Sequence, residues 1–198
     1  MTEVDWNRWF TEYDVAMAAA KEMRKPILLQ FHREKCAGCM KLYVLTYPDD
    51  EVAAELYDWF APLRLDILQN REIRSRYAAV WTPSFYVLDW TGKLYFHCDG
   101  YLGPEDFRII LRLGKAAVDT ARGQYEAVMA LMDDGLSRFP DNPRAAAMLL
   151  RKGMAWYLST WDRDAFRDAM LDIIEHYPAS PEARMWPWLD DPAAEMGA

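Results

Sequence analysis

The chain has 198 residues, 52% of them hydrophobic and 14% aromatic, with a formal net charge of −8. That composition supports a packed core and excludes wholesale disorder, and the length allows one ordinary domain plus a smaller one. The acidity excludes nucleic-acid binding by counterion release, there is no basic stripe, and anionic membrane surfaces are disfavoured for the same reason. The charge is uneven: residues 1–115 carry −2 and residues 116–198 carry −6. No run approaches the roughly 20 apolar residues of a membrane helix. The start, MTEVDWNRWF, has neither a basic n-region nor an apolar h-region, so no secretory signal is expected. Three cysteines are too few for a disulfide scaffold, and a reducing cytoplasm is the expected compartment.

In chain order, Tyr13, Ala16, Met17 and Ala20 recur at helical spacing and predict a helix over 12–25. Pro26 ends it and opens a strand, Ile27–His32. Residues 36–46 read as helical, with Met40, Tyr43 and Val44 on one side. Asp50 is the expected N-cap of a helix through Phe60. Leu63, Leu65 and Ile67 alternate in a second strand over 62–67, and a short helix follows over 70–77. Two strands, 84–89 and 93–98, flank the turn Trp90-Thr91-Gly92, and Pro104 starts a helix to about Thr120. This order predicts an α/β domain over 1–115, with one central mixed sheet flanked by helices.

Residues 116–198 read as an all-α extension. Phe139-Pro140-Asp141-Asn142-Pro143-Arg144-Ala145 matches Tyr177-Pro178-Ala179-Ser180-Pro181-Glu182-Ala183 at an offset of 38, which also pairs Met132 with Met170. The pattern resembles tetratricopeptide-type repeats. At most one and a half repeats fit, so the helices are expected to lean on the first domain or on a protein partner.

The chemistry lies in Cys36-Ala37-Gly38-Cys39. Two thiols at this spacing can close to a disulfide or bind a soft metal. At a helix N-terminus, unpaired N–H groups and the helix dipole favour the first thiol as thiolate. Zinc usually takes four ligands, and only His32 accompanies the pair, with no second CxxC in the chain. The aromatics Trp6, Trp9, Phe10, Trp186 and Trp188 read as packing residues, Cys98 as a buried thiol, and His97 and His176 as structural or surface residues without partners.

Residues 12–113 resemble the thioredoxin-fold family. The resemblance is carried by Lys25-Pro26-Ile27-Leu28-Leu29-Gln30-Phe31, the CxxC, Thr82-Pro83-Ser84-Phe85 some 44 positions beyond Cys39, and Leu88-Asp89-Trp90-Thr91-Gly92-Lys93. Tyr47-Pro48-Asp49 and Val52 resemble a loop of one of its subgroups. The resemblance implies a thiol–disulfide oxidoreductase without an organic cofactor. Cys36 attacks and Cys39 resolves; Pro83 is cis, and Thr82 with Pro83 meets an extended protein substrate. The family's Trp before the first Cys is Lys35 here, its buried acid six residues before that Cys is Gln30, and its Gly-Pro between the thiols is Ala37-Gly38. Lys35 and His32 are expected to lower the Cys36 pKa by their charge, and Glu34 is a candidate proton acceptor for Cys39. The expected direction is reduction of protein disulfides, with an upstream thiol reductant. The alternatives are a protein-binding module built on this platform and a CxxC metal-handling protein.

Overall fold

The structure is a computed structural model that describes residues 4–185. Trp186 and Trp188 lie outside the described residues. The chain divides into two compact units, Met1–Val118 and Asp119–Ala198.

The first unit is built on a four-stranded sheet of order β2-β1-β3-β4: β1 Ile27–His32, β2 Ala61–Asp66, β3 Ser84–Leu88 and β4 Leu94–Asp99. β1 runs parallel to β2 and antiparallel to β3; β3 and β4 form an antiparallel hairpin. The sheet is mixed because β1 and β2 are joined by helices whereas β3 and β4 are joined by a tight turn. Within that turn the Asp89 carboxylate accepts hydrogen bonds from the backbone of Thr91 and Lys93. β1 reads as a continuous apolar run because both its faces are covered. Ile27, Leu29 and Phe31 join Leu63, Leu65, Tyr86 and Leu88 of the neighbouring strands in one core cluster. Ala16 and Ala20 of α1, Tyr13–Met23, close that cluster. Leu28 and Gln30 alternate to the other face. There Phe107 of α5, Pro104–Ala121, lies 5.3 Å from Phe85 and 5.5 Å from Tyr47, ring centre to ring centre. A Cβ on Gly114 would stand 2.5 Å from Val87 Cγ2, so α5 approaches β3 where only glycine fits.

Between β1 and β2, α2 (Ala37–Lys41) continues as a single π-helical turn, Leu42–Thr46. The expected apolar side of this segment is corrected. Met40 and Val44 are half exposed, while Cys39, Leu42 and Thr46 are buried and Tyr43 is partly so. The π turn adds a residue to the winding, and the Thr46 hydroxyl is tied to the Leu102 carbonyl at 2.7 Å. α3 spans Asp50–Trp59, and its N-cap is Asp49, not Asp50: the Asp49 carboxylate accepts from the N–H groups of Glu51 and Val52. α4 spans Arg71–Arg76.

Two arginines of α5 fasten α3. The Arg112 guanidinium, almost wholly buried, grips both oxygens of Glu55 at 2.8 Å. Arg108 reaches Glu55 at 2.7 Å and also pairs with Glu51. Burial pushes the Glu55 pKa up, but hydrogen bonds from Arg112 and Arg108 outweigh it and hold the group below the usual carboxylate range.

The second unit contains α6 (Tyr125–Arg138), α7 (Ala145–Thr160), α8 (Arg163–His176) and a 3₁₀ turn, Glu182–Arg184. No strand occurs among its described residues. The repeated heptapeptide takes the same local form twice. Phe139 and Tyr177 each end a helix, at φ −130°, ψ 49° and φ −130°, ψ 51°. Met132 and Met170, paired by the same offset, are both fully buried. The Tyr177 hydroxyl donates to the Pro140 carbonyl at 3.0 Å, so the second turn is tied to the first.

Removing the Glu55 charge takes from the buried Arg112 and Arg108 guanidinium groups the carboxylate they share, although Arg108 keeps its pairing with Glu51. Glu55→Gln should destabilise the first unit by about 3 kcal/mol in urea unfolding at neutral pH. Because the folded-state pKa of Glu55 is depressed, its contribution is present above the ordinary carboxylate range and lost as the pH falls through the folded value. The gap between variant and wild type should therefore narrow in acid.

Candidate active site

The fully buried β1 delivers the chain to the surface at His32, and the turn Arg33–Lys35 leads to Cys36, the N-cap of α2. Cys36 has extended backbone geometry, and its Sγ accepts the N–H of Cys39 at 3.2 Å. Its thiol also lies 3.4 Å from the Thr82 carbonyl, to which it donates. Cys36 is part exposed, whereas Cys39, one turn on, is fully buried. Among the described residues, which include all three cysteines, none forms a disulfide.

The two thiols are driven in opposite directions. Burial raises the Cys36 pKa, but hydrogen bonds from the side chains of Cys39 and Thr82 and from the backbone N–H groups of Cys39 and Gly38 together pull it below the ordinary thiol value. Burial, then the hydrogen bond to Cys36 and its charge, push Cys39 up to about 12. One thiol is thus eased toward the thiolate and the other is held protonated.

The Thr82–Pro83 peptide is cis, and its loop is anchored by Gly100 N–H donating to the Pro83 carbonyl at 2.8 Å. The first turn of α2 lies directly on the Pro83 ring: a Cβ on Gly38 would stand 2.8 Å from Pro83 Cδ. Cys36, Lys35, Gly38 and Thr82 line one open groove of about 530 Å³.

His32 and Glu34 are not in that groove. They line a separate pocket with Glu12, Arg64, Asp66 and Asn70. Burial and the nearby Arg64 charge hold the His32 pKa below its usual value, against Asp66, so the ring is neutral near pH 7. Its expected cationic role is therefore corrected. The bonds that pull Cys36 down come from Cys39, Thr82 and the start of α2, which supply the lowering expected from nearby charge. Gln30 is fully buried and accepts the Tyr47 hydroxyl at 2.8 Å, while its Nε2 has no hydrogen-bond partner. Tyr43 and Tyr47 are near enough to Cys39 to feel its charge, and burial raises both, Tyr43 to about 12. Trp6 packs edge-on against Tyr43, ring centres 4.9 Å apart, and carries the Arg64 guanidinium 4.0 Å over its face. Trp9 is buried and donates its indole N–H to Tyr57. Both behave as packing residues.

Cys98 lies on β4, partly exposed rather than buried. His97 contacts Asp99 at 3.0 Å, and His176 contacts the Asp172 carbonyl at 2.9 Å, so both histidines have partners. Among the described residues, the metal-compatible cluster found is the exposed trio Asp172, Glu175 and His176 in α8, and the CxxC has no third ligand within reach. The sequence reading did not single out Arg33, Arg74, Val80 or Trp81, which share the groove with Cys36. Arg74 and Trp81 stand 38 and 45 positions from Cys36, and only the fold brings them there.

Alkylation of the reduced chain should modify Cys36 with a pH midpoint below the ordinary value of about 8.5, while Cys39 stays unreactive through that range. Mass spectrometry of each cysteine across a pH series checks both. Gly38→Ala should force α2 away from Pro83, weaken the hydrogen bonds from the Thr82 side chain and the start of α2 that lower Cys36, and move the Cys36 midpoint upward. It should also cost about 1–3 kcal/mol of stability, the usual range for overpacking.

A family model described as a thioredoxin-like domain matches residues 13–115, just over half of the chain. Among solved structures, a thioredoxin from Thermus thermophilus is 22% identical at a TM-score of 0.48, over 57% of this chain and 86% of that one. The C-terminal domain of DsbD from Neisseria meningitidis, in its oxidised form, is 20% identical at 0.44, over 50% and 92%. A DsbH oxidoreductase is 18% identical at 0.43, over 50% and 78%. A comparison with curated proteins gives no match. With a fold and a matched segment that agree, the chain belongs to the thioredoxin-like domain family.

Proposed function

We propose that this protein is a thiol–disulfide oxidoreductase that reduces protein disulfides through the Cys36–Cys39 couple. The observation that carries the reading is the asymmetry of the pair. Cys36 is accessible, hydrogen-bonded and lowered in pKa, and Cys39 is buried behind it and raised to about 12. In the proposed exchange the Cys36 thiolate forms a bond to one substrate sulfur. The substrate S–S bond breaks, and a substrate thiolate leaves. Cys39 then gives up its proton and attacks Cys36 Sγ. The Cys36–Cys39 disulfide forms, the second substrate thiolate departs, and two electrons have passed to the substrate. Thr82 and Pro83, at the lip of the groove, are placed to meet an extended substrate segment. A thiol reductant of the dithiol class must restore the couple, and a reducing compartment such as the cytoplasm suits this direction. The absence of a third ligand near the CxxC among the described residues favours exchange over metal handling. Among the described residues, no helix is long and apolar enough to cross a membrane.

A protein-binding role for the helical unit is a second reading, supported by the exposure of Trp156 and Trp161. It is compatible with the first, since a docked partner could itself carry the disulfide.

Wild-type protein with excess dithiothreitol should accelerate reduction of a model protein disulfide. Cys36→Ser should lose that activity. Cys39→Ser should accumulate thiol-sensitive mixed disulfides through Cys36, seen as mass adducts. If wild type fails to accelerate reduction and Cys39→Ser yields no adducts, the oxidoreductase reading is wrong.

A further inference from the structure

The groove beside Cys36 is lined by three cations and no carboxylate. Arg33 and Lys35 come from the turn before α2, and Arg74 from α4. None of the three has an ion-pair partner among the described residues. Other arginines of the same unit are neutralised: Arg76 by Glu72, Arg112 by Glu55, and Arg108 by Glu55 and Glu51. In a chain of net charge −8, a cationic groove without carboxylates around the reactive sulfur is a local reversal of sign. A concave site lined by one sign of charge concentrates ligands of the other. The same groove exposes apolar surface: Val80 is 85% exposed and Trp81 62%. Free water is a poor partner for that pair of side chains, and a bound apolar group would remove them from it.

We propose that the disulfide exchanged at Cys36 is carried on an acidic protein segment. Its carboxylates are taken by Arg33, Lys35 and Arg74, and an apolar side chain beside its cysteine covers Val80 and Trp81. This rests on the disulfide-exchange reading above and adds the chemical class of the substrate. Small anionic disulfides such as glutathione disulfide satisfy the cations but carry no large apolar side chain for Val80 and Trp81. The cations also stabilise the substrate thiolate released when Cys36 attacks, so their effect falls on the chemical step as well as on encounter.

The test uses the full-length reduced chain and three disulfide-bridged peptides of one sequence. The peptides carry a Leu beside the cysteine and differ only in whether the flanking charged positions are Glu, Gln or Lys. Glutathione disulfide and neutral bis(2-hydroxyethyl) disulfide are run beside them. At low ionic strength the Glu peptide should be reduced about tenfold faster than the Gln peptide, and the Lys peptide slowest. The spread should collapse near 1 M salt, where the screening length is about 3 Å. Arg33→Gln, Lys35→Gln and Arg74→Gln should each shrink the Glu-to-Gln rate ratio, and Arg74→Glu should shrink it further or invert it. The ratio cancels any change in Cys36 reactivity. Equal rates for the three peptides, a ratio untouched by every substitution, or glutathione disulfide reacting as fast as the Glu peptide would each overturn the proposal. If the neutral disulfide is reduced while the peptides show no preference, only the acidic-substrate inference falls. If neither the peptides nor the neutral disulfide reacts, the exchange reading falls and takes this inference with it.

Discussion

The site depends on one close approach. The first turn of α2 rests on the Pro83 ring with no room for a methyl group at Gly38. That approach places the Cys36 sulfur against the Thr82 carbonyl and fixes the direction of the Cys39 N–H toward it. Both partners are held from behind. β1, buried on both faces, feeds α2, and β3, which Pro83 precedes, pairs with β1 from Phe31↔Ser84 onward. The two cysteines and the proline loop are far apart in sequence, but their positions are set by adjacent strands of one sheet. The Arg108–Arg112–Glu55 contacts secure α3 to α5 in the same unit, on the side of the chain that follows α2. A buried ion pair of this kind is poor evidence of net stabilisation over an apolar alternative, yet breaking it is costly.

Much of the fold was legible in the sequence because its signals are local. β1 has the predicted bounds, since Pro26 and the polar turn after His32 punctuate an unbroken apolar run. The hairpin, the helix from Pro104 and the repeated aromatic-Pro turn also follow from nearest-neighbour chemistry. The misplaced features have non-local causes. Cys39, Leu42 and Thr46 became the buried side of the segment after Cys36 because a π turn and the Leu102 carbonyl reset its winding. A separation of four positions predicts His32 as a charge near Cys36. The strand end instead turns it toward Arg64 and Asp66, in another pocket. The pair Cys36 and Cys39 could be read from spacing alone, but the groove could not. Arg74 and Trp81 gain meaning only when α4 and the segment before β3 come up beside α2.

The substitution of Gln30 for an acid bears on the second step of the proposed exchange. A carboxylate in that fully buried position would carry its own desolvation cost; the amide accepts the Tyr47 hydroxyl without a charge. The amide cannot, however, take the proton of Cys39, and Tyr43 and Tyr47 are themselves held protonated by burial. The causes that raise Cys39 separate into two kinds. Burial is permanent. The hydrogen bond to Cys36 and the Cys36 charge last only while Cys36 is the acceptor and the anion. Once Cys36 is bonded to a substrate sulfur in the proposed exchange, both of those contributions end, and the Cys39 pKa falls toward what burial and the hydrogen bonds from the Arg33 backbone and the Thr82 side chain set together. In the proposed exchange the first bond formed thereby lowers the cost of the deprotonation the second requires, which orders the two steps without a buried acid: Cys39 follows Cys36.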